Sequence, residues 1–309
     1  MKKILVTLLT MISMAVITLT AAEAKEITFI DDLGREVTVN EPQRVAPLLG
    51  SYADIWDLAG GEIVATADDA WDDFDLQLSE DTINLGMTKE ISLEKLFEAD
   101  PDFVIASTNT KGNLELMDTL EMAQIPVAYF DVSDFDDYLR VLEICTQITG
   151  REELYKQNGL DIQQRIENVK AEFQAHVGKE GKVPTVLCLR ASSTLIAAKN
   201  SKGNVLGAML KGIGCENIAD NEESLIETLS MEQIMIQDPD YIFIAQFGDD
   251  AEGVKANLDN FINENPAWSG LTAVKEGRVY LMEKALYTLK PNDRWAEAYE
   301  GLEEILINE

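Results

Sequence analysis

One sequence pattern occurs twice, at residues 92–106 and at residues 230–245. Each copy reads Ser-x-Glu, a short amphipathic stretch, Asp-Pro-Asp and then an apolar run, and the spacing of these parts is the same in both copies. The pattern predicts a capped helix, a turn and a buried strand. A single repeat is too sparse for a solenoid, in which every unit contacts its neighbours. Two distant copies therefore favour two similar lobes with a cleft between them.

Residues 1–24 have the features of a secretory signal. A basic start is followed by an apolar stretch from Ile4, and Ala22 and Ala24 form a small-residue cleavage site. We therefore predict an exported, extracytoplasmic or periplasmic protein whose mature chain begins at Lys25. The apolar stretch is also long enough to act as an uncleaved membrane anchor. No cysteine lies near the cleavage point, so the sequence predicts no lipid anchor.

The chain is strongly acidic, with 25 basic and 56 acidic residues and a net charge of −31. Such a surface repels phosphate backbones, which argues against nucleic acid as a partner. The three cysteines, Cys145, Cys188 and Cys215, are odd in number and have no metal-binding spacing. Their apolar neighbours predict buried free thiols rather than disulfides.

Strand and helix patterns alternate along most of the chain, which predicts an α/β fold with mainly parallel sheets flanked by helices. Residues 151–178 break this alternation, because their apolar residues recur at helical spacing and predict one long rigid helix. The expected organisation is an N-terminal lobe at residues 25–150, the interlobe helix, and a C-terminal lobe at residues 179–309. Ligands of open α/β sheets bind beyond the carboxyl ends of the strands, so the cleft between the lobes is the expected site.

These features together resemble the helix-linked (class III) substrate-binding proteins of ABC importers, the iron-siderophore, haem and cobalamin family. The resemblance covers residues 27–306. It rests on the opening hairpin with Asp-Leu-Gly-Arg at residues 32–35, the strand at Arg44, both copies of the repeated pattern, and the final strand after Gly277. It implies a monomeric binding protein, not an enzyme and without a cofactor. Such a protein carries a ferric chelate, haem or a corrinoid to a membrane permease that has a separate ATPase subunit.

The resemblance also implies a role for one glutamate in each copy of the pattern. Glu94 and Glu232 match the positions at which family members dock on arginines of the permease. A structural explanation is available for each site singly, because Ser92 and Ser230 are good N-caps and a first-turn glutamate complements the helix dipole. Capping does not explain why the two sites are paired.

The loops at the predicted cleft hold eight candidate ligand-binding residues: Ser51, Tyr52, Trp71, Asn109, Arg190, Gln246, Tyr287 and Arg294. Tyr52 and Trp71 offer flat faces for stacking, or else they pack beneath a loop. Arg190 follows a buried strand and suits carboxylate or catecholate oxygens, or else it pairs with a protein acid. For Arg294 we favour helix packing and a salt bridge. With Arg190 as the one well-placed cation, the sequence favours a neutral or hydroxamate chelate or a corrinoid.

Other functions find weaker support, and the sequence predicts no catalytic or metal-ligating residue. A Zn²⁺ or Mn²⁺ site needs several imidazoles, whereas His176 is the single histidine. Haem needs an axial ligand such as Tyr52 or Tyr287. The alternative from another class is an exported hydrolytic enzyme of α/β architecture. For it the sequence offers no Gly-x-Ser-x-Gly motif, only carboxylate pairs among many acids.

Overall fold

The computed structural model describes residues 26–308, so the predicted signal at residues 1–24 lies outside the described residues. The strands are β1 (Glu26–Ile30), β2 (Glu36–Asn40), β3 (Val45–Pro47), β4 (Ala65–Thr66), β5 (Ile83–Asn84), β6 (Phe103–Ser107), β7 (Val127–Phe130), β8 (Thr185–Ala191), β9 (Ile196–Lys199), β10 (Glu216–Asn217), β11 (Tyr241–Gln246) and β12 (Val279–Met282).

The α-helices are α1 (Gly50–Leu58), α2 (Asp69–Asp72), α3 (Leu93–Glu98), α4 (Lys111–Glu115), α5 (Met117–Met122), α6 (Phe135–Thr149), α7 (Glu152–Tyr155), α8 (Asp161–Glu180), α9 (Val205–Ile213), α10 (Glu223–Thr228), α11 (Met231–Gln237), α12 (Ala251–Glu264), α13 (Thr272–Lys275), α14 (Lys284–Tyr287) and α15 (Trp295–Asn308). Three 3₁₀ turns lie at Ile218–Asp220, Pro266–Gly270 and Asn292–Arg294. Within residues 26–308 no helix is both long enough and apolar enough to span a bilayer.

The first half of the chain builds a parallel sheet in the order β3-β6-β7. The short parallel pair β4-β5 continues from it through a bridge between Val45 and Ile63. Strand β6 is buried along its whole length, as its continuous apolar sequence predicts. The predicted opening hairpin is present as the antiparallel pair β1-β2, with Gly34 at φ 76° in its turn. The α/β architecture expected for this half is confirmed.

The second half builds a separate sheet in the order β10-β8-β11-β12, and all of these neighbours are parallel. Strand β9 joins it by pairing antiparallel with β8. Strands β8 and β9 therefore form a hairpin. All three cysteines are free and buried, as predicted. Burial raises the pKa of Cys145 to about 12, which makes its thiol unreactive at neutral pH.

The two copies of the repeated pattern adopt the same structure. In each, the first aspartate of Asp-Pro-Asp has a positive φ, 47° in one copy and 41° in the other. The last aspartate of each copy then accepts a hydrogen bond from the backbone at the start of the neighbouring strand. Asp102 accepts a hydrogen bond from the backbone N–H of Arg44 at 2.9 Å, and Asp240 accepts one from that of Thr185 at 2.9 Å. The repeat in the sequence is thus a repeat in structure.

The predicted long helix is present, with one π-helical turn. Helix α7, a π turn at Lys156–Leu160 and helix α8 follow without interruption and end at Gly181, where φ is 73°. Gly178 has helical backbone, so the helix continues to Glu180, and the left-handed glycine that follows it is Gly181. Gly159 lies in the π turn, where a Cβ would come within 3.0 Å of Leu139. The lobe boundaries drawn at residues 150 and 178 stay a prediction.

The side chain of Asn292 joins the two halves of the chain. It is fully buried, and its Nδ2 donates to the carbonyl of Ser51 at 3.0 Å and to Oδ2 of Asp54 at 2.7 Å. Burial raises the pKa of Asp54 to about 7, although the hydrogen bond from Asn292 acts in the opposite direction. Ionised Asp54 therefore costs stability above neutral pH.

The Asp54→Asn variant should show this cost directly. In the unfolded chain Asp54 has the ordinary aspartate pKa of 3.8, so between pH 3.8 and about 7 the folded protein holds more protons than the unfolded chain, and stability falls as the pH rises. The substitution should raise the free energy of unfolding more at pH 8 than at pH 5, by about 2 kcal/mol. Urea denaturation at both pH values measures this, with the exposed Asp81→Asn as control. An equal effect at both pH values would contradict the assignment.

Candidate ligand-binding site

A cavity of about 720 Å³, counted with its open mouth, is lined by both halves of the chain. Asn109, Val132 and Ser133 line it from the first half, just after the ends of β6 and β7. The remaining lining residues come from the second half, among them Arg190 at the end of β8 and Phe247 just after β11. The cavity therefore lies beyond the carboxyl ends of parallel strands, where the sequence predicted the site.

Three cationic side chains line this cavity: Arg190, Lys199 and Lys290. The pairing of β8 with β9 sets Cys188 opposite Lys199 and Arg190 opposite Ala197, so Arg190 and Lys199 share one face of the sheet. Among the residues that the structure describes, no acid lines the cavity and no salt bridge involves any of the three cations. In a chain of net charge −31, this is a local concentration of positive charge.

Two of these cations lie over aromatic rings, and the two lysines are partly or fully removed from solvent. The Arg190 guanidinium lies 4.5 Å from the ring centre of Phe247, and Lys290 Nζ lies 5.3 Å from that of Tyr52. Burial lowers the pKa of Lys199, and the nearby Arg190 lowers it further. Burial also lowers the pKa of Lys290, although the carboxylates of Asp131 and Asp69 act in the opposite direction. An anion bound in the cavity would supply the missing counter-charge and favour the charged form of both lysines.

The structure brings three of the eight predicted ligand residues to the cavity: Asn109, Arg190 and Tyr287. Asn109 is exposed, and its Nδ2 donates to Oδ1 of Asp131 at 2.7 Å. Tyr287 is buried and its hydroxyl donates to the carbonyl of Ala298 at 3.0 Å. Their contact with ligand stays a prediction. Sequence reasoning missed Lys199 and Lys290, so its count of one well-placed cation was wrong.

The aromatic stacking expected from Tyr52 and Trp71 does not fit the structure. Tyr52 is only 1% exposed, and its hydroxyl donates to the carbonyl of Phe130 at 2.6 Å. Trp71 is half-buried against the hydrophobic core and does not line the cavity. Both residues therefore pack beneath loops, which was the structural alternative. Ser51 is also buried, beneath Asn292.

Arg294 and Gln246 also lie outside the cavity lining. The guanidinium of Arg294 forms two hydrogen bonds of 2.8 Å with Glu297, one turn along the same helical segment. The salt bridge favoured for Arg294 is thus present, and this arginine leaves the candidate ligand set. The side-chain Nε2 of Gln246 donates a hydrogen bond to the carbonyl of Gly248 at 3.4 Å.

A second, acidic cavity involves Asp68, Asp69, Asp72 and Asp73 at helix α2 and Asp249 after β11. Lys284, at the start of α14, connects its two sides. Its Nζ donates to Asp73 at 2.6 Å and to Asp249 at 2.5 Å. We refer to these contacts as the Lys284 bridge. Because Asp73 comes from the first half of the chain and Lys284 from the second, the bridge holds the halves together beside the cationic cavity.

The Lys284→Ala variant tests the bridge. Its removal leaves Asp73 without this partner, and we expect the free energy of unfolding to fall by about 1–2 kcal/mol. We also expect ligand to dissociate faster, because the halves are less firmly held. Denaturant titration and stopped-flow dissociation measure the two effects. The exposed Lys111→Ala, which removes a surface pair with Glu115, is the matched control. Unchanged stability and dissociation would show that the bridge does not hold the halves.

Glu94 and Glu232 are exposed and lie in the first turns of α3 and α11. Each helix is capped by the predicted serine: the Ser92 hydroxyl accepts from the backbone N–H of Lys95, and the Ser230 hydroxyl accepts from that of Gln233, both at 3.4 Å. The capping explanation is therefore satisfied by the serines alone. Neither glutamate carboxylate forms a salt bridge within the described residues, so both are available to a partner.

Two separate, mainly parallel sheets define an α/β protein, and a cavity lies at the strand ends of both. The model of the family described as periplasmic binding protein matches residues 45–286. The chain belongs to this family. It is therefore a substrate-binding protein and not an enzyme, and the alternative of an exported hydrolase is rejected.

Individual relatives support the same family. The iron-uptake system-binding protein of Bacillus subtilis is 27% identical over 270 residues, which are 85% of this chain and 80% of that protein. The Fe(3+)-citrate-binding protein YfmC of the same species is 25% identical over 276 residues, or 86% and 82% of the two chains. An ABC transporter substrate-binding protein from Listeria monocytogenes has the same fold, with a TM-score of 0.70, 22% identity, and coverage of 86% of this chain and 98% of that chain.

Proposed function

We propose that this protein captures an anionic ferric chelate of the siderophore type outside the cytoplasmic membrane and delivers it to an ABC permease. The observation that carries the proposal is the cluster of Arg190, Lys199 and Lys290 in one cavity, which no acidic side chain of the described residues lines. The nearby Arg190 lowers the pKa of Lys199, so these cations repel each other, and a bound anion would relieve that repulsion. Carboxylate and catecholate oxygens are the natural partners of such side chains.

The same observation separates the proposed ligand from its competitors. The neutral chelate or corrinoid favoured by the sequence leaves three cations without partners. Haem would find an unfavourable axial environment, because the hydroxyl of Tyr287 already donates to a carbonyl and no histidine lines the described cavity. Iron uptake and ferric citrate are named for the two Bacillus subtilis relatives, which supports a chelate with anionic oxygens.

Delivery of the ligand to the permease depends on the two glutamates of the repeated pattern. Glu94 and Glu232 are exposed carboxylates at equivalent points of the two halves, and both suit basic pockets on a permease. The protein acts as a monomer, with ATP hydrolysed by a separate subunit. The cycle is capture, slight closure of the halves over the ligand, docking, and release when the permease separates the two docking points.

Isothermal titration calorimetry of residues 25–309 against five probes tests the ligand assignment: ferric citrate, a ferric catecholate, a ferric hydroxamate, haem and cyanocobalamin. We expect dissociation constants in the micromolar range or below for at least one anionic ferric chelate, and weaker binding of the neutral probes. Calorimetry is preferable to tryptophan fluorescence, since no tryptophan lines the described cavity. Binding of cyanocobalamin or the hydroxamate alone would overturn the proposal.

A further inference from the structure

Each docking glutamate is accompanied by an exposed apolar side chain one helical turn later. In α3 this residue is Phe97, which is 44% exposed, and in α11 it is Met235, which is 50% exposed. Residues three apart lie on the same face of a helix, so each carboxylate and its apolar neighbour face the same way. Single exposed apolar residues need no explanation. Their occurrence at the same position in both copies of a structural repeat does need an explanation.

The apolar content is larger on the second helix. Ile236 is 65% exposed in α11, whereas the equivalent position in α3 is the charged residue Glu98. The two helices therefore present matched carboxylates with unequal apolar surfaces. A partner with two equivalent basic sites accepts both helices, and it gains more apolar burial at the second one.

We propose that Phe97, Met235 and Ile236 form the apolar part of the surface that contacts the membrane permease, with Glu94 and Glu232 forming its charged part. This proposal rests on the proposed function. The kind of partner follows from the repeat, because two equivalent elements on one chain fit a partner built of two symmetry-related subunits. Charge complementarity requires that partner to be basic at both contacts. The apolar side chains supply the water-excluded contacts that make such ion pairs effective.

Photo-cross-linking on membranes of the bacterium that encodes the protein tests this surface. A photoreactive phenylalanine analogue replaces Phe97, Met235 or Met122 in turn; Met122 is a matched control because it is 78% exposed on α5, outside the pattern. We expect positions 97 and 235 to cross-link to a permease subunit, identified by mass spectrometry, and position 122 to give no such product. In a membrane-binding assay, the Phe97→Ser, Met235→Ser double variant should bind about tenfold more weakly than the Met122→Ser variant.

Three outcomes separate the possible failures. The inference is overturned by two results together: the analogue cross-links to the permease from positions 94 and 232 but not from 97 and 235, and the double serine variant binds normally. Docking through the glutamates would then still stand. If none of the four positions cross-links to a permease, docking through these helices is also overturned. A stronger effect of Phe97→Ser than of the Met235→Ser, Ile236→Ser pair would contradict the unequal apolar contribution.

Discussion

Replacing Arg190, Lys199 and Lys290 together by alanine should weaken binding of an anionic ferric chelate by about a hundredfold to a thousandfold. A hydrogen bond between charged groups contributes more than a neutral one, and no acidic side chain of the described residues lines the cavity beside these cations. Each single variant should lose about tenfold or more. Calorimetry at constant ionic strength measures the loss with the chelate that binds the unaltered protein.

Arg294→Ala is the matched control for this series. It also removes one positive charge from the second half of the chain, but the arginine pairs with Glu297 outside the cavity. Its affinity should stay within about twofold of the unaltered protein, since screened charges outside the cavity contribute little. Equal losses from Arg294→Ala and Arg190→Ala would mean that the ligand senses only the overall charge. The cavity would then not be the binding site.

The Glu94→Ala, Glu232→Ala double variant should bind ligand normally yet lose most of its delivery to the membrane. The two carboxylates lie away from the cavity lining, so ligand affinity is expected to change by less than about twofold. Docking through two charged contacts is different, because loss of one partner of a charge pair at an interface costs about 2–5 kcal/mol. Uptake of iron-55 should therefore fall at least tenfold in cells that depend on this protein.

The control for this experiment is Glu121→Ala, an exposed glutamate on α5 outside the repeated pattern. Each single variant, Glu94→Ala or Glu232→Ala, should have an intermediate effect, because one docking contact remains. Normal uptake by the double variant, with protein levels unchanged, would rule out the docking assignment and leave the ligand assignment untouched.

The parts of the fold that the sequence predicted are those set by local pattern. Strand β6 is a continuous apolar run, and Ser230 begins a helix, because burial and capping act over a few residues. Arg190 was found at the cavity for the same reason, since it lies at the end of a buried strand. Gly178 and Gly181 look alike in the sequence, and only the backbone conformation shows that α8 ends at the second of them.

The missed and misassigned residues depend on tertiary contacts. Lys199 faces the cavity only because β9 pairs with β8 in one particular register. Lys290 lies in an irregular segment and is positioned over Tyr52 from the other half of the chain. Tyr52 itself can be buried because its hydroxyl donates a hydrogen bond to the carbonyl of Phe130. Residues 196–199 read Ile-Ala-Ala-Lys, which has no polar–apolar alternation that could have indicated the face on which Lys199 lies.

The acidic cavity beside the cationic one affects how fast a ligand arrives. Beyond a Debye length of about 8 Å at physiological salt, an approaching anion senses mainly the negative field of the whole chain. The chain has a net charge of −31, and Asp68, Asp69 and Asp73 line the acidic cavity. Electrostatic steering therefore works against capture, and added salt speeds association even as it weakens the final complex. Such a protein achieves its affinity through slow escape of the ligand, which suits a carrier that must keep its cargo until it reaches the membrane.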